Sequence, residues 1–351
     1  MHAFDFSEVL GPLPPDIPEL IARIREINAL NGIRVSRYGR QFARIEEMAK
    51  LNSVKYSNEI EGIVTSDERL ADIVLRNDTP RTHSENEIAG YRDALSAIHE
   101  DPSAFDLDEA SALGLHRTMM SRTLRGGGRY KTRDNAIVSV SGGRREIVFT
   151  PVPASETPGT MGQLFLAYME ARDDGMEPLL LIPCVILDFL CIHPFPDGNG
   201  RTSRLLTTAL LYNNGFDVCR FVSLDEHISL TKGAYYRALE ESSAGWYEND
   251  WTYMPFVRYF LQSLLECYID LDTRFAVTND GRLSKRDRVA LMLENSLAPV
   301  SKRQICAALP DVSPRTVESA LAELRSKGRI EKVGSYRDAR YRWVRPRSRD
   351  R

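Results

Sequence analysis

Residues 193–204 read His193-Pro194-Phe195-Pro196-Asp197-Gly198-Asn199-Gly200-Arg201-Thr202-Ser203-Arg204. A base, a carboxylate, two glycines and two arginines fall within one short segment, which is the equipment for handling a nucleotide's phosphates. Gly198 and Gly200 lack a Cβ and let backbone N–H groups close around an anion. The following residues, 201–212, carry apolar side chains at helical spacing, so the cradle sits at a helix N-terminus, where the macrodipole favours phosphate. Arg201 and Arg204 lie three apart on one face of that helix, as permanently charged forks suited to phosphate oxygens. Asp197 supplies one hard oxygen. A lone carboxylate completed by substrate phosphates and water is a common way to hold Mg²⁺, so Asp197 is expected as a metal ligand. His193, with an ordinary pKa near 6.5, is left to accept a proton.

This segment resembles the signature of the Fic family, in which His, Phe, an acidic residue, Gly-Asn-Gly-Arg and a second Arg recur at these spacings. Every signature position is filled. A P-loop would need a Gly-Lys-Ser/Thr ending, and none occurs in the chain. The resemblance implies a protein adenylyltransferase: AMP passes from ATP to a Ser, Thr or Tyr hydroxyl of a protein, itself included, with release of pyrophosphate. It implies His193 as the base and Asp197 as the Mg²⁺ ligand. Asn199, Arg201 and the amides of Gly198 and Gly200 would hold the α and β phosphates, with Arg204 reaching the γ-phosphate. Phe195 is expected to turn inward as a core anchor for the loop.

Upstream, Ser57-Asn58-Glu59-Ile60-Glu61-Gly62 resembles the inhibitory motif Ser/Thr-x-x-x-Glu-Gly/Asn of autoinhibited Fic proteins. Glu61 would then pair with Arg204 where the γ-phosphate belongs, with Ser57 and Gly62 completing the motif. Between the two motifs, β-branched runs around Gly142-Gly143 give a hairpin signal over 135–151. It occupies the place of the Fic flap, whose segment Ile147-Val148-Phe149 is expected to take a target segment as an added strand. Tyr235 and Tyr236, after a helix start expected at 229–231, resemble the wall of the family's adenine pocket.

The remaining sequence bounds the picture. In 351 residues, 42% hydrophobic, there is room for two or three domains with sizeable cores. The most apolar run, 179–192, is too short and too interrupted by Asp188 to cross a membrane, and reads as the buried helix that presents His193. No membrane partner is expected. Five cysteines without a pairing framework, and a first segment without a signal region, argue for the cytoplasm. Cys184 and Cys191 read as packing groups and His116 as structural.

The net charge of −3 hides an asymmetry. From residue 281 onward there are 18 Lys and Arg against 8 Asp and Glu. There a helix over 288–293, a capped helix over 301–309, a third over 313–328 and a hairpin around Gly334 resemble a winged helix-turn-helix. DNA is one partner such a domain could take, through Arg315 and Lys332. Glu318 and Glu323 dilute its third helix, and the same fold also serves as a protein-binding module.

The expected fold class is mainly α: a helical Fic core with a small β-hairpin flap, N-terminal helices and a C-terminal winged helix-turn-helix domain. The N-terminal region, 1–115, carries the motif at 57–62 and helices over 17–30, 39–54, after Ser66, and 84–99, preceded by a Pro-rich arm over 10–15. The catalytic core spans 116–275, its last helix over 256–274. The winged domain spans 281–345 and a basic tail 346–351. Dimerisation is a common device for holding or exposing an inhibitory helix, so a homodimer is expected. Two other readings stay open: a Fic enzyme that removes AMP or uses another nucleotide donor, and a DNA-binding regulator.

Overall fold

The computed structural model describes residues 2, 4–6, 11–37, 39–124, 126–141, 144–279, 284–294, 299–309, 312–334 and 339–344. Leu10 of the Pro-rich arm, the Gly142-Gly143 turn, the polar stretch 280–283 and the basic tail 346–351 lie outside the described residues.

Four helices open the chain: α1 (Asp16–Arg37), α2 (Gly39–Ile60), α3 (Asp67–Arg76) and α4 (His83–Glu100). After α5 (Glu109–Met120) comes the hairpin β1 (Ile137–Ser141) and β2 (Arg144–Phe149), then α6 (Thr157–Asp173), α7 (Pro178–Ile192) and α8 (Asn199–Asn213). Next come α9 (Leu224–Leu230), α10 (Lys232–Ser243) and the long α11 (Met254–Asn279). The last unit is α12 (Lys285–Glu294), β3 (Val300–Ser301), α13 (Lys302–Ala308), α14 (Pro314–Ser326), β4 (Ile330–Val333) and β5 (Arg340–Trp343). The architecture is mainly helical with small antiparallel sheets, as the sequence implies.

The axis is α7. Every residue from Leu179 to Ile192 is buried, so no face of this helix meets solvent. Each Leu or Ile so buried stabilises by about 1.5–3 kcal/mol, which makes α7 a fixed support. Its one carboxylate, Asp188, is fully buried and accepts from the Trp246 indole at 2.8 Å and the Tyr253 hydroxyl at 2.7 Å. Helices α6, α8, α10 and α11 pack around it.

One hydrophobic cluster runs from Phe6 to Leu271, joining α1–α5 to the helices around α7. A second, from Val289 to Ile330, belongs to the last unit.

Two N-terminal helices are longer than their apolar periodicity predicts. α1 continues from 30 to Arg37, and α2 from 54 to Ile60. α2 runs on through the polar stretch 55–59 because Ser57 and Asn58 are buried against the arginines of α8. α11 likewise extends beyond 256–274 at both ends. The short β3 pairs with β5, giving a three-stranded sheet of order β3-β5-β4 where only a hairpin is predicted. Around α14, Glu318 pairs with Lys302, and Glu323 pairs with Arg286 and Lys327. The glutamates that dilute the basic helix thus consume cations of the same unit.

Candidate active site

α7 ends at His193, which adopts the left-handed conformation at φ 53°, ψ 58° and closes the helix with its N–H to the Phe189 carbonyl at 2.9 Å. An L side chain there costs about 1–2 kcal/mol. Such strain persists only where the surroundings dictate it. His193 Nδ1 lies 3.2 Å from the Leu190 carbonyl. A carbonyl only accepts, so Nδ1 carries the hydrogen and Nε2 keeps its lone pair. Burial pulls the pKa of His193 down to about 4, so the ring is neutral at physiological pH.

The turn that follows is anchored from below. Phe195 is fully buried and stacks on His116 with centroids 3.8 Å apart. His116 accepts from the Gly128 N–H through Nδ1 at 3.0 Å and donates through Nε2 to the Asp197 carbonyl at 3.1 Å. Burial holds its pKa near about 4, so it stays neutral in this role. The Asp197 carboxylate is exposed, with one oxygen accepting the Gly198 N–H at 2.7 Å. Gly198 caps α8 at φ 76°, a conformation that favours glycine.

The opening turn of α8 presents amides without intrahelical partners. Over it lies the carboxylate of Glu61: a Cβ on Gly200 would run into Glu61 Oε1. The same oxygen accepts from Arg204 Nη2 at 2.9 Å. Arg204 is held further by Ser57, whose hydroxyl accepts from Nε at 2.8 Å and whose carbonyl accepts from Nη2 at 2.8 Å. Behind it, Asp225 Oδ1 lies 3.3 Å from Nε. Burial opposes the charge on Arg204, yet Glu61, Tyr235 and Asp225 together raise its pKa above the ordinary guanidinium value. The Glu61 carboxylate thus lies against Arg204 and Gly200 at the N-terminus of α8.

Residues 106–211 match a family model described as the Fic/DOC family. Over this stretch the chain is similar to the Fic/DOC family. It is 46% identical over 46 residues to a probable protein adenylyltransferase of Aquifex aeolicus, covering 13% of this chain and 14% of that one. Protein adenylyltransferase fic-1 of Caenorhabditis briggsae is 29% identical over 111 residues, 32% of this chain and 20% of that one. The matched region therefore spans a fifth or less of these curated relatives. Among solved structures, a Fic family protein from Desulfovibrio desulfuricans G20 superposes with a TM-score of 0.62 at 20% identity, covering 97% of this chain and 99% of that one. Fic-1 from Caenorhabditis elegans gives 0.58 at 18% identity, over 75% and 72%. These likenesses show the Fic fold.

Three residues expected at the nucleotide have other partners. The Asn199 side chain is buried and braces the loop, accepting the Phe195 N–H and donating to the Phe195 carbonyl, both at 2.8 Å. Arg201 is 1% exposed and pairs with Glu87 at 2.7 Å, with the Asn58 side chain at 3.5 Å. Its charge is neutralised in the core, because a guanidinium this buried needs a carboxylate. Tyr235 packs in the core beside Phe256 and Tyr259, leaving Tyr236, 44% exposed, as the ring that faces outward. In the hairpin, Val138 pairs with Ile147 and Ser141 with Arg144, with an irregularity at Ile137. Ile147 and Val148 are exposed, and Phe149 stacks on Tyr247.

The sequence reading passes over Glu87, Asp225, Lys232, Lys131 and Asn135. Lys232 donates to the Ile60 carbonyl at 2.6 Å, tying α10 to the last turn of α2. Lys131 and Asn135, from the segment ahead of β1, hold the carbonyls of residues 192–195. Glu87 follows the polar run 83–86, so nothing in the sequence pattern sets it apart from a solvated helix face. The loop residues carry no periodic signal at all.

Proposed function

We propose that this chain is a Mg²⁺-dependent protein adenylyltransferase that moves AMP from ATP to a Ser, Thr or Tyr hydroxyl of a protein, with Glu61 as its brake. The observation that carries the reading is the Glu61 carboxylate seated on Arg204 above Gly200, where a phosphate would meet the start of α8. A site that binds an internal carboxylate at a helix N-terminus is built for anions.

His193 Nε2 takes the proton of the target hydroxyl. The hydroxyl oxygen forms its bond to the α-phosphorus as the bond from that phosphorus to the bridging oxygen breaks, and pyrophosphate leaves. The first amides of α8 hold the α and β phosphates, and Arg204, once released by Glu61, takes the γ-phosphate. Buried Arg201 and Asn199 keep the loop in shape. Tyr236 offers its exposed ring to the adenine, and the outer edge of the hairpin aligns the target. Catalysis on this reading is positioning and charge neutralisation, with no covalent enzyme intermediate.

Among the described residues no cluster of three His, Cys, Asp or Glu could hold a metal by itself. The exposed Asp197 carboxylate beside an anion cradle suits Mg²⁺, which takes one or two protein carboxylates and completes its shell with phosphate and water. Asp197 would hold the ion, which when bound neutralises phosphate charge.

The test uses ATP labelled at the α-phosphate and Mg²⁺. Glu61→Gly should label itself at least tenfold more than the wild-type chain, since a charge-assisted contact of about 1.5–3 kcal/mol no longer competes with the γ-phosphate. Glu61→Gly/His193→Ala should carry no label while still binding ATP. Equal labelling of wild type and Glu61→Gly would remove the brake, and an unaffected double variant would remove His193 as the base.

A further inference from the structure

His193 sits in a backbone conformation that an L residue rarely adopts, at the end of a helix whose last carbonyls have no intrahelical donor. What holds it there is a set of bonds to four consecutive carbonyls. Lys131 Nζ donates to the Ile192 carbonyl at 3.1 Å. Asn135 Nδ2 donates to the His193 carbonyl at 3.2 Å. The Lys131 N–H donates to the Pro194 carbonyl at 2.8 Å. Asn135 Nδ2 also reaches the Phe195 carbonyl at 3.1 Å.

The two side chains lock each other, with Lys131 Nζ donating to Asn135 Oδ1 at 2.8 Å. Lys131 is 3% exposed, and burial pulls its ammonium down to about 8. A lysine is not buried this deeply, with only neutral oxygens as hydrogen-bond partners, merely to fill space. The reaction as derived above leaves both side chains unused.

We propose that Lys131 and Asn135 are positioning residues that fix the backbone, and through it the ring, of His193, so that the root of the hairpin and the catalytic loop form one body. β1 begins at Ile137, two residues beyond Asn135. A target strand docked on the hairpin is therefore placed against the base by a connection of a few residues. The role rests on the transferase reading, and misplacement by about an ångström is enough to cost on the order of a hundredfold in rate.

The experiment is done on the full chain carrying Glu61→Gly, to which Lys131→Met or Lys131→Arg is added. Lys131→Met should lower kcat for AMP transfer on the order of a hundredfold while ATP affinity, measured by calorimetry, stays within twofold. Lys131→Arg, which keeps a cationic donor, should recover at least a tenth of the parent kcat. A kcat within twofold of the parent, or a parallel loss of ATP affinity, overturns the proposal. If Lys131→Met does not fold, Asn135→Ala removes two of the four bonds and the same split decides.

Should the Glu61→Gly parent transfer nothing, the transferase reading fails on its own. The positioning role is then decided by the ¹³C shifts of His193 Cα and Cβ, which report its left-handed backbone. A shift away from that signature in Lys131→Met supports the role, and an unchanged signature overturns it.

Discussion

The two flanks of the loop at 193–198 are held by different means. On the hairpin side, buried Lys131 and part-buried Asn135 bind backbone carbonyls of residues 192–195. On the α2 side, Glu61 meets Arg204 side chain to side chain and remains about a third exposed. Yet α2 also contributes to the fixed framework. Ser57 and Asn58 are fully buried and hold Arg204 and Arg201. Only Glu61 lies past the end of the helix, where Gly62 at φ 77° and the Ile63 N–H to the Asn58 carbonyl close a left-handed cap. Support and proposed brake thus lie within a single turn of each other, at the end of α2 and just beyond it. Removing the whole of α2 would free Arg204 of Glu61 and also strip it of the two Ser57 bonds that aim it.

The sharpest way to break this contrast is to compare Glu87→Ala with Glu61→Ala by thermal unfolding. Glu87 and Arg201 are a buried pair, and removing the carboxylate leaves an unpaired guanidinium in the core. The expected loss is about 3–5 kcal/mol, a fall in Tm on the order of 10 °C. Glu61→Ala leaves Arg204 with Ser57 and Asp225, so the expected loss is only about 1.5 kcal/mol, the low end for a charge-assisted contact. Equal losses would mean that Glu61 is as structural as Glu87, and the division between frame and brake would fall.

A smaller effect is expected at Gly62. A Cβ there meets nothing within contact distance, so Gly62→Ala acts through its positive φ alone. The cost of about 1 kcal/mol falls on the capped conformation that delivers Glu61, and converts to about a fivefold rise in self-modification over wild type. That rise should stay below the rise from Glu61→Gly. Unchanged activity would mean that the cap does not set the position of Glu61.

What was legible in the sequence follows from where the information lies. Residues 193–204 are contiguous, and their chemistry can be read from side-chain types in order. Their local setting was legible too: an all-apolar run before them and helical spacing after them give α7 and α8. The partners of that segment come from 57–61, 87, 131–135 and 225, each chosen by distance in space. Of these only the Ser57–Glu61 spacing forms a pattern a reader could match. The Fic resemblance places Asn199 and Arg201 on the α and β phosphates. In the structure both side chains are buried, Asn199 on the backbone polar groups of Phe195 and Arg201 on Glu87 and Asn58 of other helices. Apolar spacing alone ends α2 at 54, because the buried polar residues Ser57 and Asn58 interrupt the period without ending the helix.

The mildest test asks whether the fixed flank also sets the chemistry of the base. Burial lowers the pKa of His193 to about 4, so the lone pair on Nε2 is available at any pH well above that value. In Glu61→Gly, kcat/KM should change less than twofold between pH 7.5 and 5.5, with the acid limb near pH 4. A histidine at its ordinary value near 6.5 would lose about tenfold by pH 5.5. ATP affinity followed over the same range separates the nucleotide's own titration from that of the base. The measurement has a floor set by the fold. His116 and His193 are both held near about 4, so between pH 6.5 and 4 the unfolded chain binds protons that the native chain does not, and stability falls as the pH falls. Circular dichroism at each pH therefore distinguishes loss of the base from loss of the fold. An acid limb near 6.5 in a protein that is still folded would mean that His193 is solvated in the working enzyme, and that the loop opens when the brake is released.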